Sequence, residues 1–301
     1  MKVTVLGAPS SAGAYCVGVE GAPAALRDAG LVEALHAAGA DITDAGDLTT
    51  RVWRPDQENP FAQNLGEEVE AVAELASAAT GLLADGERLL VLGGSCTVAV
   101  GLCAAVADAG ERPRMVYIDR HLDLNTPHST TEGSLSWMGM AHALALPGAA
   151  PELSNATGHA PLLHTSDLVY LGADATRETT DWERKQVTDL GLTVVDQAAL
   201  CGEPRGAARQ ALNALTAGPF VVHLDVDVLD FLDAPIAEDV NGRNSGPTIA
   251  QLGQALTELL QEPTCWGLSI GQLDPNHASA DPSALPRLVS ALASALTSTN
   301  P

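Results

Sequence analysis

Apolar positions fall along the chain in two alternating patterns. Runs rich in Val and Leu at about residues 2–7, 88–92, 114–118, 168–171, 192–195, 220–224 and 265–270 have strand length and little polar interruption. Between them, apolar residues recur at three- and four-residue spacing. In residues 67–84, Val69, Val72, Leu75, Ala76, Ala79, Leu82 and Leu83 fall on one helical face. Comparable periods occupy about 24–38, 97–109, 180–190, 206–217, 249–261 and 283–296. Strands apolar on both faces, alternating with helices, predict an α/β fold with a mostly parallel sheet covered on both sides. No linker, composition shift or internal repeat interrupts the alternation, so residues 1–301 are expected to form a single domain. Ligands of such sheets bind beyond the carboxyl ends of the strands, which directs attention to the residues just after each run.

Charge narrows the partners. The chain carries 15 Lys+Arg against 38 Asp+Glu, a formal charge of −23. Such a polyanion repels phosphate backbones and anionic lipid, so neither nucleic acid nor a membrane surface is an expected partner. The apolar runs stay far below the ~18 residues of a membrane span. The first strand pattern starts at Lys2 with no secretory h-region before it, and the five Cys are odd in number and widely spaced. A disulfide framework is therefore not expected, and a reducing cytoplasm is.

Three strand ends carry unusual polar clusters. They are Gly93-Gly94-Ser95-Cys96, then Asp119-Arg120-His121-Leu122-Asp123, then His223-Leu224-Asp225-Val226-Asp227-Val228-Leu229-Asp230. If the chain stays extended, Asp119, His121 and Asp123 project to one side, and Asp225 and Asp227 do the same on their strand. Gathering these carboxylates and an imidazole without a cation would cost several kcal/mol in repulsion and desolvation. A divalent metal removes that cost, and the oxygen-rich set suits Mn, Mg or Ca, with imidazole adding Zn, Fe or Ni. An isolated D-x-D at a strand end is commonly only a loop cap; both clusters in one α/β chain favour metal.

These clusters resemble the arginase/agmatinase/formiminoglutamase ureohydrolases, whose motifs read G-G-D-H, D-A-H-x-D and S-x-D-x-D-x-x-D-P. The openings Leu6-Gly7-Ala8-Pro9-Ser10 and Gly18-Val19-Glu20-Gly21-Ala22-Pro23 resemble the same family, and the match runs in order from about residue 2 to about 275. The resemblance implies a three-layer αβα sandwich of the arginase/deacetylase type, often trimeric or hexameric. It implies a pair of Mn ions sharing a hydroxide that attacks a guanidino or formimino carbon. Carried over, Asp119 and Asp225 would bridge both metals, His121 and Asp227 would complete one site, and Asp123 and Cys96 the other. Asp230 matches the acid that closes the third motif.

The departures carry the functional information. Cys96 replaces a histidine and Ser95 the aspartate before it. A thiolate favours Zn or Fe–S over Mn, so one or two Mn ions are expected, with Zn or Fe admitted by Cys96. A neutral buried cysteine and a nucleophilic one are the other readings. Arg120 replaces a small residue and should point away from the metals into an ion pair, with a clamp on a substrate carboxylate as the alternative. Asn125 matches a residue that holds the substrate carboxylate, whereas Glu132 stands where a serine does so and would repel that group. Ser136 replaces the proton-shuttle histidine, for which nearby His128 is the candidate substitute. Gln272 replaces the glutamate that pairs with guanidinium, losing an interaction worth roughly 2–5 kcal/mol when desolvated. Ser269 replaces an aspartate of the same motif, and His223 replaces a serine and is expected to pack in the core.

The expected function is that of a divergent metal-dependent hydrolase of a non-peptide C–N bond. Its substrate would be a small modified guanidino, formimino, amidine or amide compound rather than free arginine, in specialised bacterial metabolism. Asp123 would take or orient the proton, and Gln272 and Asn125 would position substrate. A non-hydrolytic cyclising or condensing enzyme with the same ligands, and an inactive family member, are the alternatives.

Overall fold

The apolar runs do form strands, and their register explains how they are covered. The structure, a computed structural model, describes residues 2–83, 87–239 and 244–298. Strands β1 (Lys2–Ala8), β2 (Asp41–Asp47), β3 (Arg88–Gly93), β4 (Met115–Ile118), β5 (Leu168–Ala173), β6 (Thr193–Asp196), β7 (Phe220–Asp225) and β8 (Cys265–Gly271) build one sheet. Their spatial order is β2-β1-β3-β8-β7-β4-β5-β6, and every pairing is parallel.

Side-chain alternation splits each central strand between two cores. Leu90, Leu92, Val116, Ile118, Val222 and Leu224 pack with residues of helices Ala22–Asp28, Leu31–Ala37, Pro204–Ala214, Ile249–Leu260 and Ala284–Thr297. Leu89, Val91, Met115, Tyr117 and Val221 face the opposite way, toward helices Leu65–Leu83, Val98–Asp108 and Gly139–Ala143. Each such side chain removed from water contributes roughly 1.5–3 kcal/mol, which is why both strand faces are apolar and the sheet is the middle of three layers.

Two elements differ from the periodicity. The apolar pattern does not mark β2, because Asp41–Asp47 is polar and mostly exposed; it is an edge strand whose backbone pairs with β1 while its side chains meet solvent. The helix expected over 24–38 is two, Ala22–Asp28 and Leu31–Ala37, separated at Gly30, whose φ of 87° no helix continues through. The helix expected over 67–84 runs Leu65–Leu83; Ala84 lies outside the described residues, as do the ends of the 1–301 span.

Candidate metal centre

The four central strands β3, β8, β7 and β4 deliver the polar residues, each at or just past its carboxyl end. Pleat alternation is not what gathers them. β4 stops at Ile118, and Asp119 to Asp123 follow an irregular path in which Asp123 takes a φ of 51°. Asp225 ends β7, and Asp227 lies in a 3-10 turn, Val226–Val228, whose Asp227 amide donates to Asp225 Oδ1 at 2.8 Å. The expected convergence is therefore made by a left-handed kink and a tight turn rather than by extended strands.

Two groups of ligand atoms result. Cys96, Asp119 and Asp123 form one, and Asp119, His121 and Asp227 the other; in each, one donor atom per residue lies within 4.8 Å of the rest. Asp119 belongs to both. Its amide-facing Oδ1 accepts from His121 N–H at 2.6 Å, whereas Oδ2 is buried without a hydrogen bond. His121 Nδ1 lies 3.0 Å from Asp227 Oδ2 and 3.4 Å from Asp119 Oδ1. Asp225 Oδ2 accepts the Cys96 thiol at 2.9 Å, and Asp123 Oδ2 accepts the hydroxyl of buried Tyr117.

The protonation balance is that of a cation site. Burial raises the pKa of Asp119, with Asp227 adding to the shift, and burial with Asp119 raises Asp123. Burial, then Asp227 and Asp119, raises Asp225. For His121 burial opposes the charged form, but the Asp227 and Asp119 carboxylates outweigh it and hold the imidazolium. Burial and three carboxylates push the Cys96 thiol well up, so it is a thiol in this environment. A divalent cation would reverse each of these shifts. The buried, hydrogen-bond-free Asp119 Oδ2 between two ligand groups fits such an ion.

Cys96 is set by close packing. Gly94 lies against the Ser10 carbonyl, only 1.9 Å from where its Cβ would stand, and Ser95 N–H donates to that same carbonyl. A Cβ on Gly271 would lie 2.9 Å from Cys96 Sγ and 3.1 Å from His223 Cε1. His223 is fully buried, stacked on Tyr117 at 4.8 Å, and burial lowers its pKa to about 3.

Two recesses open onto these residues. A cavity of about 250 Å³ is lined by His121, Asp123, Asn125, Trp137, Arg177 and Thr180 among others. A narrower slot is lined by His121, Asp123, Asp225, Asp227, Glu238 and Gln272 among others. Gln272 has a φ of 60° and donates through Nε2 to Glu238 Oε2 at 2.7 Å; its Oε1 is buried with no hydrogen bond. Burial raises Glu238 to about 8 despite donors from Cys16 and Gln272. Sequence patterns do not single out Glu238, since nothing in Ile236-Ala237-Glu238-Asp239 marks it before the loop folds over the slot. It returns a carboxyl group to the place from which Gln272 removes one.

The other expected residues are placed as follows. Asn125 is buried on the cavity wall. His128 and Glu132 are exposed and line neither recess. Ser136 lines the slot, with its hydroxyl on the Gly13 carbonyl at 3.2 Å. Arg120 is fully buried and points away, donating to the Ser245 carbonyl at 2.6 Å and lying 3.9 Å from Glu178.

The Arginase family matches residues 1–295. The arginase of Brevibacillus brevis is 31% identical over 239 residues, 78% of this chain and 78% of that protein. The arginase of Bacillus caldovelox superposes with a TM-score of 0.86 at 23% identity, covering 99% of each chain. A Trypanosoma cruzi formiminoglutamase variant, solved with Mn2+, superposes with a TM-score of 0.73 at 18% identity, covering 99% of this chain and 94% of its own.

Proposed function

We propose, on the premise that this chain belongs to the arginase family, that it is a metal-dependent hydrolase cleaving a non-peptide C–N bond in a small molecule other than free arginine. The observation that carries this reading is the pair of ligand groups sharing Asp119 beneath one slot. Asp119, His121 and Asp227 would hold one ion, and Asp119 with Asp123, Asp225 and Cys96 a second. Bound Mn2+, or Zn2+ or Fe2+ where Cys96 ligates, supplies a water-derived nucleophile near neutral pH and offsets developing negative charge.

The chain's own residues do the rest. Tyr117 fixes one oxygen of Asp123, which leaves Asp123 Oδ1 to orient the attacking water and take its proton. Gln272 Oε1 and the Glu238 carboxyl form a wall of acceptors along the slot. Such a wall selects a carbon bearing N–H donors, as in a guanidino, formimino or amidine group. Glu238 changes what Gln272 alone implies: once its carboxyl group is ionised, a cationic group is again acceptable beside the amide. Ser136 has no titratable group near neutral pH, and exposed His128 stands outside both recesses, so the proton shuttle is not carried over at either position. A cytoplasmic, homo-oligomeric protein of one domain is part of the same reading.

The test is metal analysis joined to turnover of guanidino, formimino and amide compounds in 18O water. Bound Mn, Zn or Fe and solvent oxygen in the product are expected. A metal-loaded protein that converts substrate without incorporating 18O would instead establish the non-hydrolytic alternative.

A further inference from the structure

The slot over the ligand groups is nearly closed. Its free space is about 10 Å³, room for roughly one water molecule, whereas the cavity beside it holds about 250 Å³. A carbon bearing two or three nitrogens therefore reaches the Gln272 and Glu238 acceptors only if part of the wall moves. Among the described residues, three line both recesses: His121, Asp123 and Trp137. The first two belong to the ligand groups and cannot leave without dismantling the centre. Trp137 remains as the partition between cavity and slot.

Trp137 is held by its backbone more than by its ring. It lies in a one-turn 3-10 helix, Ser136–Met138. Ser136 N–H donates to the Gly13 carbonyl at 2.8 Å, and the Trp137 carbonyl accepts Asn125 N–H at 3.2 Å. The half-buried indole has no such tie: its N–H donates to no described residue, whereas the Trp182 indole donates to the Leu124 carbonyl at 3.0 Å. Its ring stacks on His121 with centroids 6.4 Å apart and planes 20° apart, toward the long end of aromatic contacts. Other walls of the slot are tied in place. Gln272 donates to Glu238, the Cys96 thiol to Asp225, and the Ser136 hydroxyl to the Gly13 carbonyl.

We propose that Trp137 is a gate that decides which molecules reach the metal centre. Its indole turns aside about the side-chain bonds while the helical turn stays in place, and cavity and slot then become one recess. The opening is one side chain wide between walls that do not move. It admits a reacting group with a narrow, unbranched substituent and excludes a branched one. When the ring returns to His121, it again keeps bulk water from the slot. This rests on the hydrolase reading only for the metal beneath the slot.

The test uses hydroxamates, which chelate a metal whatever the natural substrate. Acetohydroxamate and the branched 2,2-dimethylpropanohydroxamate are titrated by calorimetry into the metal-loaded protein. Wild type should bind acetohydroxamate more tightly by about tenfold or more. Trp137→Ala should bring the two affinities together by strengthening the branched probe. Trp137→Phe, smaller but still aromatic, should keep part of the preference, and it decides the matter should Trp137→Ala not fold. Metal content and melting temperature of each variant serve as controls. A preference unchanged in the folded variants, equal binding of both probes by wild type, or binding of neither probe by wild type and variants alike, overturns the gate. Failure of the hydrolase reading shows separately, as absence of 18O from product while the size preference persists.

Discussion

His223 and Ser269 stand opposite each other on β7 and β8, with His223 Nδ1 2.9 Å from Ser269 Oγ. Both depart from the family motifs, and Cys96, another departure, meets the same space above Gly271. The imidazole lost at position 96 is thus matched by one gained at 223. Its ring fills the layer between Tyr117 and β8. Cys96→His alone should therefore overpack this layer and lower stability by about 1–3 kcal/mol. Cys96→His combined with His223→Ser should recover the melting temperature and raise bound Mn per chain. Thermal denaturation and elemental analysis of the two variants check this; a single variant as stable as wild type would show that the two positions do not compete.

Asp225 accepts from both the Cys96 thiol and the Asp227 amide. Asp225→Ala should remove metal binding and turnover together, since it also frees the turn that carries Asp227. Metal content and kcat measured on the same preparation decide the matter, and near wild-type values for both would sink the proposed centre.

Glu238 is held up to about 8 by burial, so it is neutral below that pH and ionised above it. For a cationic substrate, KM should fall as pH rises through about 8. Glu238→Gln should abolish that slope and raise KM about 10- to 100-fold above pH 8, the range of a lost charged hydrogen bond of roughly 1.5–3 kcal/mol. Steady-state kinetics across pH 6–9, on wild type and variant, provide the comparison.

Burial raises Asp119, Asp123 and Asp225 in the metal-free protein. The unfolded chain releases these protons near pH 4, while the folded chain retains them to higher pH. The contribution of these three groups to metal-free stability should therefore be fully present below the ordinary carboxylate range and decline as pH rises from there toward the folded pKa values. With metal bound, the carboxylates ionise in the folded state and the decline should vanish. Calorimetric melting from pH 5 to 8, with and without EDTA, tests this; parallel curves would contradict it.

By itself the sequence determined the parallel sheet, its two helical covers and which strand ends carry chemistry. Each of these depends on local side-chain periodicity and on short motifs. It did not disclose β2, because an exposed edge strand is specified by backbone pairing with β1 and carries no apolar signature. Only the tertiary structure decided how the ligands meet. Asp123 reaches Tyr117 through a positive φ, and Asp227 reaches His121 through a one-turn helix, neither of which extended-strand alternation describes. The same holds for Glu238 beside Gln272 and for Arg177, which lines one cavity with His121. They are 34 residues apart in the first pair, and in both pairs the residues belong to different loops. Glu238 and Gln272 meet only because the chain brings their loops together around a buried slot, where little water remains to screen the contact.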